Sequence, residues 1–143
     1  MNASLKQFLE RNVLFVILLP ISWVLHGYTS NLGLVPKMDA LLLTLFYCGV
    51  ALILTGILWL FYRNIFKAAL LTFLLLSLQF FFGPVQDFLK GSFSGTIVVK
   101  YSFLLPFVFL LVITTAVYLA RSKKIFFQVT AYLNTVIILL IMV

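Results

Sequence analysis

The stretch ALLLTLFYCGVALILTGILWLFYRNIFKAALLTFLLLSLQFFF, residues 40–82, holds two long apolar runs on either side of Arg63-Asn64-Ile65-Phe66-Lys67. Each run is close to the roughly 20 residues that an α-helix needs to cross a bilayer. The runs lack the strict apolar–polar alternation of a membrane β-strand. A backbone in lipid must satisfy its own donors and acceptors, so the alternatives are helices or a closed barrel, and unbroken runs of this length select helices. The five residues between them allow a tight helical hairpin and nothing larger. The fold class expected from this stretch is therefore an all-α, polytopic membrane bundle.

The same reading extends to both ends of the chain. Apolar runs fall at about 12–28, 40–62, 65–82, 101–120 and 125–143, which predicts five transmembrane helices in a single domain. The composition agrees: 64% of the 143 residues are hydrophobic and 9% are charged, against about 25% charged in an average soluble domain. A soluble chain this short has too much surface to hide so much apolar side chain. No small-x-small cleavage site follows the first run, so it reads as a span and not as a signal peptide. The single cysteine, Cys48, excludes an intrachain disulfide.

The net charge of +7 comes from cations placed singly or in small groups at the ends of apolar runs. That is a topology signal and no nucleic-acid footprint. With the N-terminus inside, seven of the 10 Lys and Arg residues (Lys6, Arg11, Arg63, Lys67, Arg121, Lys123 and Lys124) fall on the inner side and three (Lys37, Lys90 and Lys100) on the outer. The positive-inside rule selects this orientation. Five crossings then leave the C-terminus outside. The apolar ending NTVIILLIMV leads to the expectation that the segment is the N-terminal membrane part of a longer protein.

The two longer connections lie on the outer side. In the second, QFFFGPVQDFLK (residues 79–90), Gly83-Pro84 reads as a helix break. Val85, Phe88 and Leu89 beyond it fit a short interfacial helix at about 84–90. His26, Tyr28, Asn31 and Asp39 from the first connection, with Gln86, Asp87 and Lys90 from the second, are the candidates for lipid-headgroup contact or docking. The bland reading makes His26 an interface anchor and Asp39 a cap or ion-pair partner of Lys37. Thr44, Cys48, Ala51 and Thr55 recur at helical spacing, a small-residue stripe expected to serve helix packing. Thr72, Gln79, Gln128 and Asn134 are polar positions within the runs, expected to bond between helices. If they instead lined a cavity, the chain would be a stand-alone, non-enzymatic carrier or assembly subunit. Phosphate binding by the basic inner loops, as in a polyprenyl-phosphate carrier, is a third possibility. No GxSxG, HExxH, CxxC or Walker pattern is present, so no residue is assigned to catalysis or metal binding.

The segments VLHGYTSNLGLVPKMDALLL, YRNIFKAALLTFLLL, FFFGPVQDFLK, YSFLLP and RSKK resemble the N-terminal membrane region of bacterial sulfatase-like membrane proteins. The layout is similar to that of lipoteichoic acid synthases and lipid A phosphoethanolamine transferases. The resemblance implies a membrane anchor, with membrane lipids as partners, for a downstream extracytoplasmic domain of the alkaline-phosphatase superfamily. It also implies that a divalent metal and the nucleophile belong to that domain, with no cofactor in this segment.

Overall fold

The computed structural model describes residues 3–31, 33–93, 95–124 and 126–142, apart from the side chains at 3, 5 and 6. Among them are six α-helices: α1 (Ala3–Arg11), α2 (Phe15–Ser30), α3 (Lys37–Tyr62), α4 (Ile65–Ser92), α5 (Tyr101–Arg121) and α6 (Phe127–Met142). A 3-10 turn, Ile97–Val99, precedes α5. The chain is all-helical, and α3, α4 and α5 are long and apolar enough to cross a membrane. Helices α2 and α6 are equally apolar but have 16 residues each, or about 24 Å at 1.5 Å per residue.

Several boundaries differ from those expected. The helix in the first expected run begins at Phe15, not Asn12, and continues to Ser30. That in the second reaches back to Lys37. That in the fifth covers Phe127 to Met142, with Ile125 and Val143 outside the described residues. The largest correction concerns Gly83-Pro84. Helix α4 passes through both without ending, and the segment expected as a separate helix at 84–90 forms its final turns. Proline removes one backbone donor, that of residue 84. The flanking turns hold because the helix is fastened on both sides of that point. Phe80 is buried against α2 and α3, and Gln86 is buried beside α5.

Helix α4 is the hub of the bundle and packs against α2, α3, α5 and α6. A third of its most apolar window is buried, against 11% for α3 and for α5, so the latter two present most of their surface outward. That surface is Leu, Ile and Phe, including Phe109 and Leu110 on α5, and it requires lipid as its solvent. The core gathers Phe15, Val16 and Leu19 of α2, Ala51 of α3, Ala69, Leu76 and Phe80 of α4, and Ile137 of α6. Ala51 and Ala69 are fully buried. Small side chains at these positions let the backbones of neighbouring helices come close, where dispersion and interhelical hydrogen bonds act. One such bond joins α3 to α4: Thr55 Oγ1 lies 2.7 Å from the Ala51 carbonyl oxygen and 3.0 Å from Thr72 Oγ1.

The α3–α4 hairpin turns on two residues. Arg63 adopts the left-handed conformation, φ 50°, at the end of α3. Asn64 follows as the N-cap of α4, its Oδ1 accepting from the backbone N–H groups of Phe66 (3.0 Å) and Lys67 (3.3 Å). Those amides would otherwise lack a partner in the first turn. Asn64→Ala is expected to destabilise the fold by about 1 kcal/mol, with Asn64→Ser recovering most of it; denaturant titration in micelles reads the difference.

The two basic turns lie at the same end of the bundle. Lys67 Nζ donates to the Ser122 carbonyl at 2.6 Å, and Tyr62 donates through its hydroxyl to the Ala116 carbonyl at 3.0 Å. The Phe66 ring meets Phe127 edge-on at 5.0 Å. A cation at the C-terminus of α5 also complements its helix dipole. The turn that carries Arg63 and Lys67 thus meets the turn that carries Arg121, Lys123 and Lys124.

Helix α1 has no counterpart among the expected elements. It carries Leu9 buried and Phe8 half-exposed, and packs on α6. Its junction with α2 is closed by one side chain. Asn134 on α6, fully buried, accepts from the Phe15 N–H (2.7 Å) through Oδ1. Through Nδ2 it donates to the carbonyls of Leu9 (2.8 Å) and Asn12 (2.6 Å). It therefore satisfies an orphan donor at the start of α2 and an orphan acceptor at the end of α1.

Candidate functional site

The end of the bundle opposite the basic turns carries the candidate residues, and they fall into two sets. The first belongs to α2 and α3. Three side chains close the C-terminus of α2 on itself. Thr29 and Ser30 donate to the His26 carbonyl, each at 2.9 Å, and Asn31 donates through Nδ2 to the Gly27 carbonyl at 2.9 Å. Such short polar side chains satisfy the carbonyls that a helix end leaves unpaired. His26 itself is exposed. Gly33 follows with φ +91°, a backbone conformation that side chains disfavour, and it turns the chain toward α3.

Asp39 lies in the first turn of α3, where its charge suits the helix N-terminus. The N-cap position is Pro36, and no side chain caps it. Among the described residues Asp39 makes no ion pair with Lys37, whereas on α4 Lys90 Nζ lies 3.7 Å from Asp87 Oδ1. Tyr28 and Asp39 do share a shallow hollow of about 290 Å3 between α2 and α3, floored by Trp23, Val24 and Leu43.

Below the hollow is an aromatic cluster that ties α2, α3 and α4 together. Trp23 stacks on Phe80 at 5.2 Å with 8° between the ring planes, and meets Phe81 edge-on at 5.1 Å. Tyr47 meets Phe80 edge-on at 5.0 Å. Offset or edge-on geometry at these separations is the favoured one for aromatic pairs. The three consecutive phenylalanines divide their work, since Phe82 turns instead toward Tyr101 of α5 at 6.2 Å.

The second set belongs to α4. Asp87 and Lys90 are exposed, and Lys90 Nζ also lies 5.9 Å from the centroid of the Tyr101 ring. Gln86 turns the other way. It is 4% exposed and lines a groove of about 490 Å3 between α4 and α5. Its Nε2 is buried without a hydrogen-bond partner, a condition shared among the described residues by Thr130 Oγ1 on α6. No hydrogen bond or ion pair joins the first set to the second among the described residues.

The polar positions within the spans do not line a common cavity. Thr72 is buried against Thr55, and Asn134 is buried against the α1–α2 junction. Gln79 and Gln128 point outward and are exposed. In the small-residue stripe, Ala51 and Thr55 are buried and Cys48 Sγ lies 3.9 Å from the Ile17 carbonyl of α2. Thr44, partly exposed, bonds to the Ala40 carbonyl of its own helix at 2.8 Å. Among the described residues no three His, Cys, Asp or Glu side chains gather as a metal site would require. Comparison with known proteins finds no family model, no curated protein and no solved structure that matches the chain.

Proposed function

We propose that the chain is a five-crossing module of a bacterial inner membrane, with the basic turns in the cytoplasm and the hollow and groove on the outer side. In this reading α2 and α6 cross together with α3, α4 and α5. Their short length is accommodated because α3, α4 and α6 pack around α2, and because a bilayer thins locally around short spans at modest cost. The observation that carries the orientation is the joining of the two basic turns at one end, through Lys67 and Ser122. Five crossings bring α6 out on the opposite side.

The module's role is to anchor an extracytoplasmic sulfatase-like hydrolase or phospho-headgroup transferase domain and to present membrane lipid to it. The support for that role is the likeness of the loop phrases, together with two apolar recesses at the end where such a domain would sit. No residue here is assigned to the reaction. The stand-alone carrier reading has less support, because the cavity that it needs would include Gln79 and Gln128, both of which face outward.

Fusions of an alkaline phosphatase reporter after Met142 and after Arg63 test the orientation. The Met142 fusion is expected to be active and the Arg63 fusion inactive. Activity in the reverse pattern would overturn the proposed orientation and the anchoring role with it.

A further inference from the structure

The groove between α4 and α5 has two properties that belong together. Its walls are apolar apart from Ser77 and Gln86, with Leu78, Phe81 and Val85 on α4 facing Leu104, Phe107 and Leu111 on α5. At one end sits Gln86, buried and with no partner for Nε2. An amide buried in this way costs free energy unless something accepts from it. In lipid that cost is not relieved by bulk water.

The position of Gln86 along α4 specifies the partner further. Lys67 marks the basic end of the helix, and Gln86 lies 19 residues beyond it in the chain, or about 28 Å at 1.5 Å per residue. This is close to the hydrocarbon thickness of a bilayer, about 30 Å, so Gln86 sits at the level where acyl chains meet their ester groups. From Gln86 the groove runs back along α4 to Leu74, about 18 Å. One leaflet is about 15 Å deep. The volume of about 490 Å3 is within the usual range for a small-molecule site, roughly 300–1,000 Å3. The groove therefore has the depth of one leaflet, walls that are apolar but for Ser77, and at the interfacial end a buried amide whose Nε2 has no partner.

We propose that this groove is a lipid site that holds one acyl chain of an outer-leaflet glycerophospholipid, the buried Gln86 side chain turning into it so that Nε2 donates to the ester carbonyl. Lys90 lies one turn beyond Gln86 on the same face of α4 and stands near Tyr101 at the start of α5. It is placed to meet the phosphate of the same lipid, its pairing with Asp87 being long and exposed. An added protein helix fits less well, because it would bring apolar side chains to Gln86 and no acceptor. The proposal rests on the membrane reading and is independent of the chemistry of any attached domain.

The full chain, purified from vesicles of phosphatidylethanolamine, is examined by native mass spectrometry after gentle detergent exchange. One retained phosphatidylethanolamine per chain is expected. Gln86→Leu keeps the groove but lowers the retained fraction about fivefold, the ratio that one neutral hydrogen bond supplies. Leu104→Trp fills the groove and abolishes retention, whereas Leu42→Trp, on the exposed face of α3, leaves it unchanged. Equal retention by all four proteins would mean unspecific boundary lipid and overturn the site. A dimer without lipid would overturn it in favour of self-association. Vesicle flotation of the same proteins separates the two levels: flotation without retention sinks the groove alone, and failure to float sinks the membrane reading.

Discussion

Asn134→Leu is expected to lower the unfolding free energy by about 2 to 5 kcal/mol. The substitution keeps the volume of the buried side chain but removes all three of its bonds, to Phe15, Leu9 and Asn12. Interhelical hydrogen bonds in a membrane protein average about 0.6 kcal/mol each, which sets the lower figure. The upper one follows if the junction cannot relax and each buried backbone group keeps a penalty of about 1–3 kcal/mol. Denaturant titration in micelles reads the change. Gln128→Leu on the same helix, where the amide is exposed, is the control and is expected to stay within about 0.5 kcal/mol of the parent. Asn134→Asp is expected to do more harm than Asn134→Leu. It keeps the acceptor for Phe15, loses both donations and buries a charge.

The second large effect concerns orientation. In the proposed orientation, changing Arg63, Lys67, Arg121, Lys123 and Lys124 together to Gln reduces the inner set from seven cations to two, against three on the outer side. The bias that selects the orientation is then reversed. A reporter fused after Met142 is expected to lose more than half of its activity, while one after Arg63 gains. The triple change of Lys37, Lys90 and Lys100 to Gln strengthens the original bias and is expected to leave both reporters as they were. An unchanged Met142 reporter in the fivefold variant would show that charge does not set the direction of insertion.

Helix existence was legible in this sequence wherever an apolar run met a clear stop. Tyr62-Arg63-Asn64-Ile65 contains a residue that tolerates the left-handed turn only under constraint, then a strong N-cap, and the hairpin forms there. Gly83-Pro84 carried the opposite message and misled. Local chemistry argued for a break, but burial of Phe80 and Gln86 on either side holds the helix together. Tertiary packing outweighed the missing hydrogen bond. Helix α1 was missed for a different reason. Leu5, Phe8 and Leu9 have amphipathic spacing, but the run is short and its charges were read as flanks of the first span. The value of the α1 face depends on α6, more than a hundred residues away, and no local pattern announces that.

The candidate site was legible only in part. The candidate residues fall into two sets, His26, Tyr28, Asn31 and Asp39 on α2, α3 and their connection, and Gln86, Asp87 and Lys90 on α4, and the second set is itself divided. Helical phase separates them: Gln86 faces α5, and Asp87, the next residue, lies about 100° around the helix and points to the exterior. Treating α4 as ended at Phe82 hid that phase. A continuous α4 would have put Phe82, Val85, Gln86 and Leu89 on one stripe, at the spacing i, i+3, i+4 and i+7, with an amide among apolar neighbours.

The bond between Phe15 and Asn134 joins residues 119 apart, and this bears on how the protein is made. The ribosome delivers α2 before α6, yet the acceptor for its first amide emerges only with α6. Until then the seam between α1 and α2 stays open, and the earlier helices have only one another to lean on. Biogenesis thus has a built-in late step, in which insertion of α6 locks the start of α2.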